Sequence, residues 1–319
     1  MEMELDKIQE IAVIGCGLMG HGIAQTFAQK GYSVTMYDTH HSILEKAISQ
    51  VRSNLDTFIE AGLETEESIK EVLSNIRISL DLRSAVNQAH FVIEAAPEDL
   101  MLKMNLFAEM DQYAHEDAIL ASNTSTLPIS QIGKKVIRKE RLIITHWFNP
   151  PHIIPVVEVV RGEATSQGVF EITYKLLEKI GKKPIKILKE IPGFLINRVQ
   201  TAMFREILSL LELGVATPED IDLGVKGSFG FRLAVIGPLQ TMDMGGLDLM
   251  YKGMKYLYPF IDRSIEVQKI LGEKIERNEL GLKTGEGFFQ YEQKEALSLS
   301  RHSKERDKKL LNHLKRLSE

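Results

Sequence analysis

No stretch constrains the fold of this chain more than residues 8–38, IQEIAVIGCGLMGHGIAQTFAQKGYSVTMYD. A short β-branched run, Ile11–Ile14, stops at Gly15. Gly15-x-Gly17-x-x-Gly20 then opens an apolar helical segment that Gly31 closes. A second short run, Tyr32–Tyr37, ends in Asp38. This order of strand, glycine turn, helix, strand and terminal acid is that of a unit that binds a dinucleotide.

Each residue type has a physical task. Gly15 permits the tight turn out of the strand, Gly17 lets the backbone approach a pyrophosphate, and Gly20 lets the helix pack on the strand. Leu18 and Met19 lie between these glycines and count with them as cofactor-binding positions. The helix start offers unpaired N–H groups and a partial positive charge to phosphates. The Asp38 carboxylate can accept hydrogen bonds from both adenosine ribose hydroxyls and would repel a 2′-phosphate. Thr39, His40 and His41 follow it, and none is an obligate cation, so the cofactor reads as NAD rather than NADP.

The length of 319 residues fits two domains. A net charge of −5 argues against nucleic acid or an anionic membrane as the main partner. Cys16 is the one cysteine, so an internal disulfide and a cysteine metal site are not expected, and no metal is assigned. Its plain reading is a small residue filling the turn. No apolar run reaches membrane-spanning length, and MEMELDKIQE does not read as a signal peptide, so a cytosolic protein is expected.

After Asp38, apolar residues recur at helical spacing through Ile43, Ala47, Val51, Leu55, Phe58 and Ile59. Gly62 breaks the pattern and Glu64–Leu73 resumes it, which predicts an inserted antiparallel helix pair before the third strand. Such an arm is either functional or a structural elaboration. Buried strands are predicted at 76–80, 91–96, 118–122, 142–147, 156–160 and 184–188, with a helix over 165–180. From Ile191-Pro192-Gly193 the chain reads as helices alone, beginning with Phe194–Leu213. Thr217-Pro218-Glu219-Asp220 is a helix start, and Gly237-Pro238 begins another. The tail from Lys294 is charged, and Lys304–Arg316 reads as an exposed helix or frayed end without a function. The fold class is therefore an α/β Rossmann-like domain over 1–190, with an inserted helical hairpin, followed by an all-α domain over 191–319.

His146 ends the strand ITHWFNPP, where doubly wound sheets place ligands. Glu158 stands alone in the apolar strand VVEVV, twelve residues on, where a carboxylate is costly unless paired. If the chain reverses at Asn149-Pro150-Pro151, Glu158 can face His146 as the orienting half of a general-base dyad. The two residues can equally be a buried pair that satisfy each other. Asn123 and Ser125, in SNTSTL, can line a site or form a turn. Asn197 shares an apolar helical face with Phe204, Leu208 and Leu211, so it needs a partner, either a substrate oxygen or a backbone group. One of Glu94 and Glu98 can meet the cofactor, and either can cap a helix.

With these motifs the chain resembles the L-3-hydroxyacyl-CoA dehydrogenases along nearly its whole length. The resemblance is carried by the glycine-rich start, SNTST at 122–126, HWFNPP at 146–151, PVVEVV at 155–160, PGFLINRV at 192–199 and KTGEGFF at 283–289. It implies His146 as general base, Glu158 as its orienting partner, and Ser125 and Asn197 as contacts to the substrate oxygen. It implies NAD contacts at Gly15, Gly17, Gly20, Asp38, Glu98, Lys103, Asn123 and Asn149. It also implies a helical domain that mediates dimerisation, so a homodimer acting on a small molecule is expected.

In that family the inserted arm holds coenzyme A and often carries several lysines, whereas here the stretch is SNLDTFIEAG. The segment RLAVIGPL is closer to the lambda-crystallin and L-gulonate 3-dehydrogenase branch, whose substrates carry no coenzyme A, and the paired prolines lean the same way. The expected reaction is oxidation of a short-chain L-3-hydroxyacyl-CoA such as 3-hydroxybutyryl-CoA. The alternatives are the same chemistry on a free acid, as in L-gulonate 3-dehydrogenase or L-carnitine dehydrogenase, and a non-catalytic, crystallin-like NAD binder.

Overall fold

The computed structural model describes residues 5–291 and 295–318; Lys294, where the charged tail was expected to begin, lies outside them. Two compact units emerge, one of residues 1–197 with 304–316, the other of residues 198–303 with 317–319.

The first unit is built on an eight-stranded sheet. In chain order its strands are β1 (Glu10–Ile14), β2 (Ser33–Tyr37), β3 (Ile76–Ser79), β4 (Phe91–Glu94), β5 (Ile119–Ser122), β6 (Leu142–Trp147), β7 (Val156–Val160) and β8 (Lys183–Ile187). Their spatial order is β3-β2-β1-β4-β5-β6-β7-β8. Every pairing is parallel except β6 with β7, which is antiparallel. The order reverses between β1 and β4, and the crevice for a ligand opens beyond the carboxyl ends there.

Both faces of the sheet are covered. In β1, Ile11 and Val13 join one buried cluster, while Ala12 and Ile14 join the other. That is why these strands read as continuous apolar runs rather than alternating ones. On one face Phe27 is fully buried, with its ring centroid 5.7 Å from Tyr32, 6.4 Å from Phe91 and 6.0 Å from Trp147.

The helices of this unit are α1 (Gly20–Ala28), α2 (His41–Glu60), α3 (Glu66–Ser74), α4 (Leu82–Val86), α5 (Leu100–Tyr113), α6 (Ile129–Ile132) and α7 (Gln167–Lys179). The expected hairpin is present as α2 and α3. The Thr65 hydroxyl accepts from Ser68 N–H and Ser68 returns a bond to Thr65 N–H, a reciprocal cap that starts α3.

The next helix, α8 (Ile196–Glu212), begins two residues later than the sequence pattern predicts. Gly193 and Phe194 have φ of +73° and +48°, outside the right-handed helical region, so the helix cannot include them. Helices α9 (Pro218–Gly227), α10 (Phe229–Leu233), α11 (Pro238–Gly245), α12 (Leu247–Leu257) and α13 (Lys269–Glu276) follow in the second unit. None of the residues of α8–α13 is buried, although their helical faces are strongly apolar.

The last helix, α14 (Glu295–Ser318), corrects the reading of the tail as merely solvated. Leu311 is fully buried and Asp307 is 7% exposed. Asp307 Oδ2 lies 3.7 Å from His152 Nε2, and Lys308 pairs with Glu60 of α2. The tail looked solvated because its buried face is short and one of its anchors is a carboxylate. Among the described residues no helix is long and apolar enough to cross a membrane.

Candidate active site

The glycine turn is fixed by sterics. Gly15 has φ of +91°, and a Cβ there would stand 2.8 Å from the backbone of Ala95. A Cβ at Gly20 would fall 1.9 Å from the carbonyl oxygen of Gly15, so helix and strand approach too closely for any side chain. Gly17 has no heavy atom within 4 Å of its Cβ position, and its backbone is exposed. Leu18 is 70% exposed, and Met19 stands half-buried at the amino end of α1.

Asp38 directly follows β2, beside this turn. Its Oδ2 accepts from Cys16 N–H at 2.9 Å and its Oδ1 from Thr39 N–H at 2.8 Å. One carboxylate thus ties the glycine turn to the residue that follows it after β2. The Cys16 thiol is pushed up to about 12, by burial first and then by the Asp38 charge, so it is an inert filler as its sequence context implied. An exposed glycine backbone at a helix start, with an anchored acid beside it, fits a dinucleotide.

The chain does reverse after β6. In the antiparallel register His146 lies directly opposite Glu158. His146 Nδ1 is 2.6 Å from Glu158 Oε2, and both side chains are buried. The other carboxylate oxygen, Oε1, accepts from the backbone N–H groups of Leu195 at 3.0 Å and Ile196 at 2.8 Å. A buried carboxylate with all these donors is compensated, and it requires the proton on Nδ1. Nε2 is thereby the nitrogen left to take a proton.

Phe148 and Phe194 stand beside the imidazole, with ring centroids 4.5 Å and 5.8 Å away. Phe194 is fully buried at its positive φ, a conformation that costs a bulky residue about 1–3 kcal/mol. The two hydrogen bonds into Glu158 Oε1 hold it there.

Glu98 gathers the SNTST loop. Its Oε1 accepts from Thr124 Oγ1 at 2.6 Å, Ser125 N–H at 3.1 Å, Thr126 N–H at 3.2 Å and Thr126 Oγ1 at 3.0 Å. Burial alone would raise this carboxyl, but the threonine hydroxyls and the Lys103 charge hold it below the usual range. Asn197 Nδ2 donates to the Ser125 carbonyl oxygen at 3.4 Å, so of the two partners left open, the backbone is the one present. That bond also brings Asn197 beside Ser125. Asn123 Oδ1 accepts from Trp147 N–H at 2.9 Å, tying this loop to the end of β6. Asn149 is exposed on the turn just beyond.

Lys103 is 1% exposed, and it does not face solvent as a freely offered cation would. Its Nζ lies 2.5 Å from Glu94 Oε1 and 3.4 Å from Glu98 Oε2. Glu94 is fully buried and also accepts from Ser122 Oγ at 2.6 Å and Ala96 N–H at 2.6 Å. Burial pushes its carboxyl up and the Lys103 ammonium opposes that. Neither glutamate caps α5: Asp99 does, accepting from Leu102 N–H at 2.8 Å. Sequence reasoning missed Thr124 and Thr126 as the collar of Glu98, and Ser122 as a partner of Glu94. The available signal was that Glu94 and Ser122 both end strands and fall in register.

A glycine-cradled nucleotide edge and a histidine–carboxylate pair on one doubly wound sheet define an NAD-binding dehydrogenase of two-domain type. A family model described as 3-hydroxyacyl-CoA dehydrogenase, NAD binding domain, matches residues 10–191. A second, for the C-terminal domain of the same enzymes, matches residues 193–291. The chain belongs to the 3-hydroxyacyl-CoA dehydrogenase family. It is 36% identical over 300 residues to a 5-formyl-3-hydroxy-2-methylpyridine 4-carboxylate 5-dehydrogenase of Mesorhizobium japonicum, covering 93% of this chain and 96% of that one. It is 37% identical over 289 residues to a probable 3-hydroxybutyryl-CoA dehydrogenase of Bacillus subtilis, covering 90% of this chain and 99% of the relative. A crystal structure of a dehydrogenase with the same pyridine carboxylate name, an NAD-dependent dismutase, superposes with a TM-score of 0.89 at 33% identity over 98% of this chain and 99% of the other.

Proposed function

We propose that this chain oxidises the hydroxyl-bearing carbon of an L-3-hydroxyacyl compound, with His146 as the general base. The observation that carries the reading is the 2.6 Å contact between His146 Nδ1 and Glu158 Oε2. Bound NAD would supply the hydride acceptor. Nε2 of His146 takes the hydroxyl proton, and Glu158 stabilises the imidazolium that forms. The Ser125 hydroxyl and the Asn197 amide hydrogen-bond the oxygen as it becomes a carbonyl. Asn197 is suited to this because its present bond, at 3.4 Å, is long and easily exchanged. Acid–base help of this kind contributes about 10²–10⁴ in rate. Asp38 and the glycine turn hold the adenosine half, with Glu98, Lys103, Asn123 and Asn149 on the nicotinamide side.

The first substrate reading is a short-chain L-3-hydroxyacyl-CoA. A second is favoured by a specific observation. The α2–α3 arm engages its Arg52 with Asp56 and Glu66, both at 3.1 Å, and Lys308 of α14 with Glu60, so these cations are already paired with carboxylates. The similarity to the pyridine carboxylate enzyme also runs over nearly the whole chain, the C-terminal helix included. That reading is a compact carboxylate without coenzyme A. NADH absorbance decides between them. Oxidation of NADH with acetoacetyl-CoA supports the thioester, and turnover confined to free 3-hydroxy acids or a formyl-pyridine carboxylate supports the second. No hydride transfer with any of these defeats the proposal.

We further propose that the enzyme works as a homodimer joined through the helical unit. Phe204, Phe231, Leu239 and Tyr251 of that unit are each at least 46% exposed, and large exposed apolar surface marks an interaction site.

A further inference from the structure

The geometry points to Lys182 as a positioning residue for cofactor binding, fastening the 149–155 turn against the nucleotide-binding helix α1. Its Nζ donates to the carbonyl oxygens of Pro151 at 2.6 Å and Ile154 at 2.9 Å. The same atom lies 5.3 Å from the ring centroid of Trp147, the residue after His146. Lys182 directly precedes β8, and Lys183 pairs with the start of β7 at Val156. It therefore stands at the end of the sheet where β6 stops and β7 and β8 start, against the connection between the two dyad strands.

Lys182 is only 7% exposed, and burial lowers its ammonium to about 7. A long cationic side chain withdrawn from water destabilises a fold unless its surroundings answer it. Here the answer is two turn carbonyls and an aromatic face. The side chain does not pack there by default.

The opposite side of the turn rests on α1. A Cβ at Gly22 would stand 2.8 Å from Pro151 Cγ and 2.9 Å from His152 Nδ1. Gly22 lies in the first turn of α1, two residues after the last glycine of the phosphate-binding motif. Contacts thus run from the Lys182 ammonium to the Pro151 carbonyl, from the Pro151 ring to Gly22, and along α1 to its amino end. Asn149 rides on the same turn. Behind it, His152 is engaged by Asp307 at 3.7 Å and faces His21 with ring centroids 6.5 Å apart. Loss of the Lys182 bonds frees the turn on one side, and misplacements of about 1 Å far from the reacting atoms are enough to cost about 10²-fold at an enzyme site.

The test is Lys182→Met in the full chain, with NAD affinity measured by isothermal titration calorimetry. The expected result is a folded protein whose Kd for NAD rises about tenfold, while turnover at saturating NAD changes less than about threefold. A lysine with a structural role alone would lower the melting temperature and leave Kd unchanged. Gly22→Ala pushes the same turn from the other side, so it also weakens NAD, and the two effects do not multiply in the double variant. A folded Lys182→Met with Kd within about twofold of the parent, or single effects that multiply, overturns the proposal. Should Lys182→Met not fold, the parent protein decides. NAD must slow amide exchange across residues 149–155, and unchanged exchange there overturns the proposal.

Discussion

Glu158 reaches His146 with one carboxylate oxygen, at 2.6 Å, and anchors the entry to α8 with the other. A single side chain thus orients the imidazole and closes the segment that carries Asn197 into place. Replacing Glu158 by Gln keeps the shape but removes the charge that answers an imidazolium. We predict a fall in kcat of about 10–100-fold, with NAD affinity unchanged by calorimetry. A kcat near that of the parent would show that the carboxylate is only a packing partner.

Asp38 is bonded on both oxygens, to Cys16 N–H and Thr39 N–H, yet is only half-buried, and we propose that it holds the adenosine ribose. Charged hydrogen bonds contribute ~1.5–3 kcal/mol, so Asp38→Ala is predicted to weaken NAD about 10–100-fold. Because the repulsion toward a 2′-phosphate goes with it, the preference for NAD over NADP should shrink by a similar factor. Calorimetry with both cofactors measures it, and an unchanged ratio would separate Asp38 from cofactor choice.

His152 and His21 both have lowered pKa values because they are buried, with Asp307 opposing the shift in each case. The sign follows from linkage. The unfolded chain takes up protons on these residues as pH falls through about 6.5, while the folded chain resists until lower pH. Stability is therefore predicted to decline as pH drops below about 6.5, by at most about 1.4 kcal/mol per pH unit for each histidine. Urea melts at pH 7.0, 6.0 and 5.5 check this, and His152→Asn should flatten the slope. A parent protein whose stability is flat over that window would contradict the assignment of neutral buried imidazoles.

The helical unit buries none of the residues of α8–α13, while Phe231 is 75% exposed and Leu239 74%. Light scattering after size exclusion is predicted to give twice the mass of one chain. Phe231→Glu with Leu239→Glu should shift the population to monomer and lower the melting temperature. A parent protein that runs as a monomer at micromolar concentration would remove the dimer.

Much of this was legible because local chemistry and tertiary structure agree. Gly15, Gly20 and Asp38 are each required by a contact only a few ångströms long, and the motif spacing encodes those contacts. The lone Glu158 in VVEVV announced a partner, and the prolines after His146 announced the reversal that supplies it. What the sequence concealed depends on distant pairings. Nothing in the sequence around Lys103 signals burial, and only the register of β4 with β5 reveals the buried Glu94 and Ser122 beside it. Asp307 belongs to a charged tail until His152 is found opposite it. Lys182 follows a helix-ending glycine in a polar GKK run, and its burial is set by a turn far away in sequence. Such groups carry no periodicity of their own, and the one cue, that Glu94 and Ser122 both end strands, acquires meaning only from the register.

We predict that His146 moves the proton while the nucleotide edge works independently of it. His146→Gln tests both halves at once, with NAD affinity read by calorimetry and turnover by NADH absorbance with whichever substrate the parent protein uses. The expected result is parental NAD affinity and a loss of at least about 10²-fold in kcat. Turnover near the parental rate in a folded His146→Gln protein would contradict it.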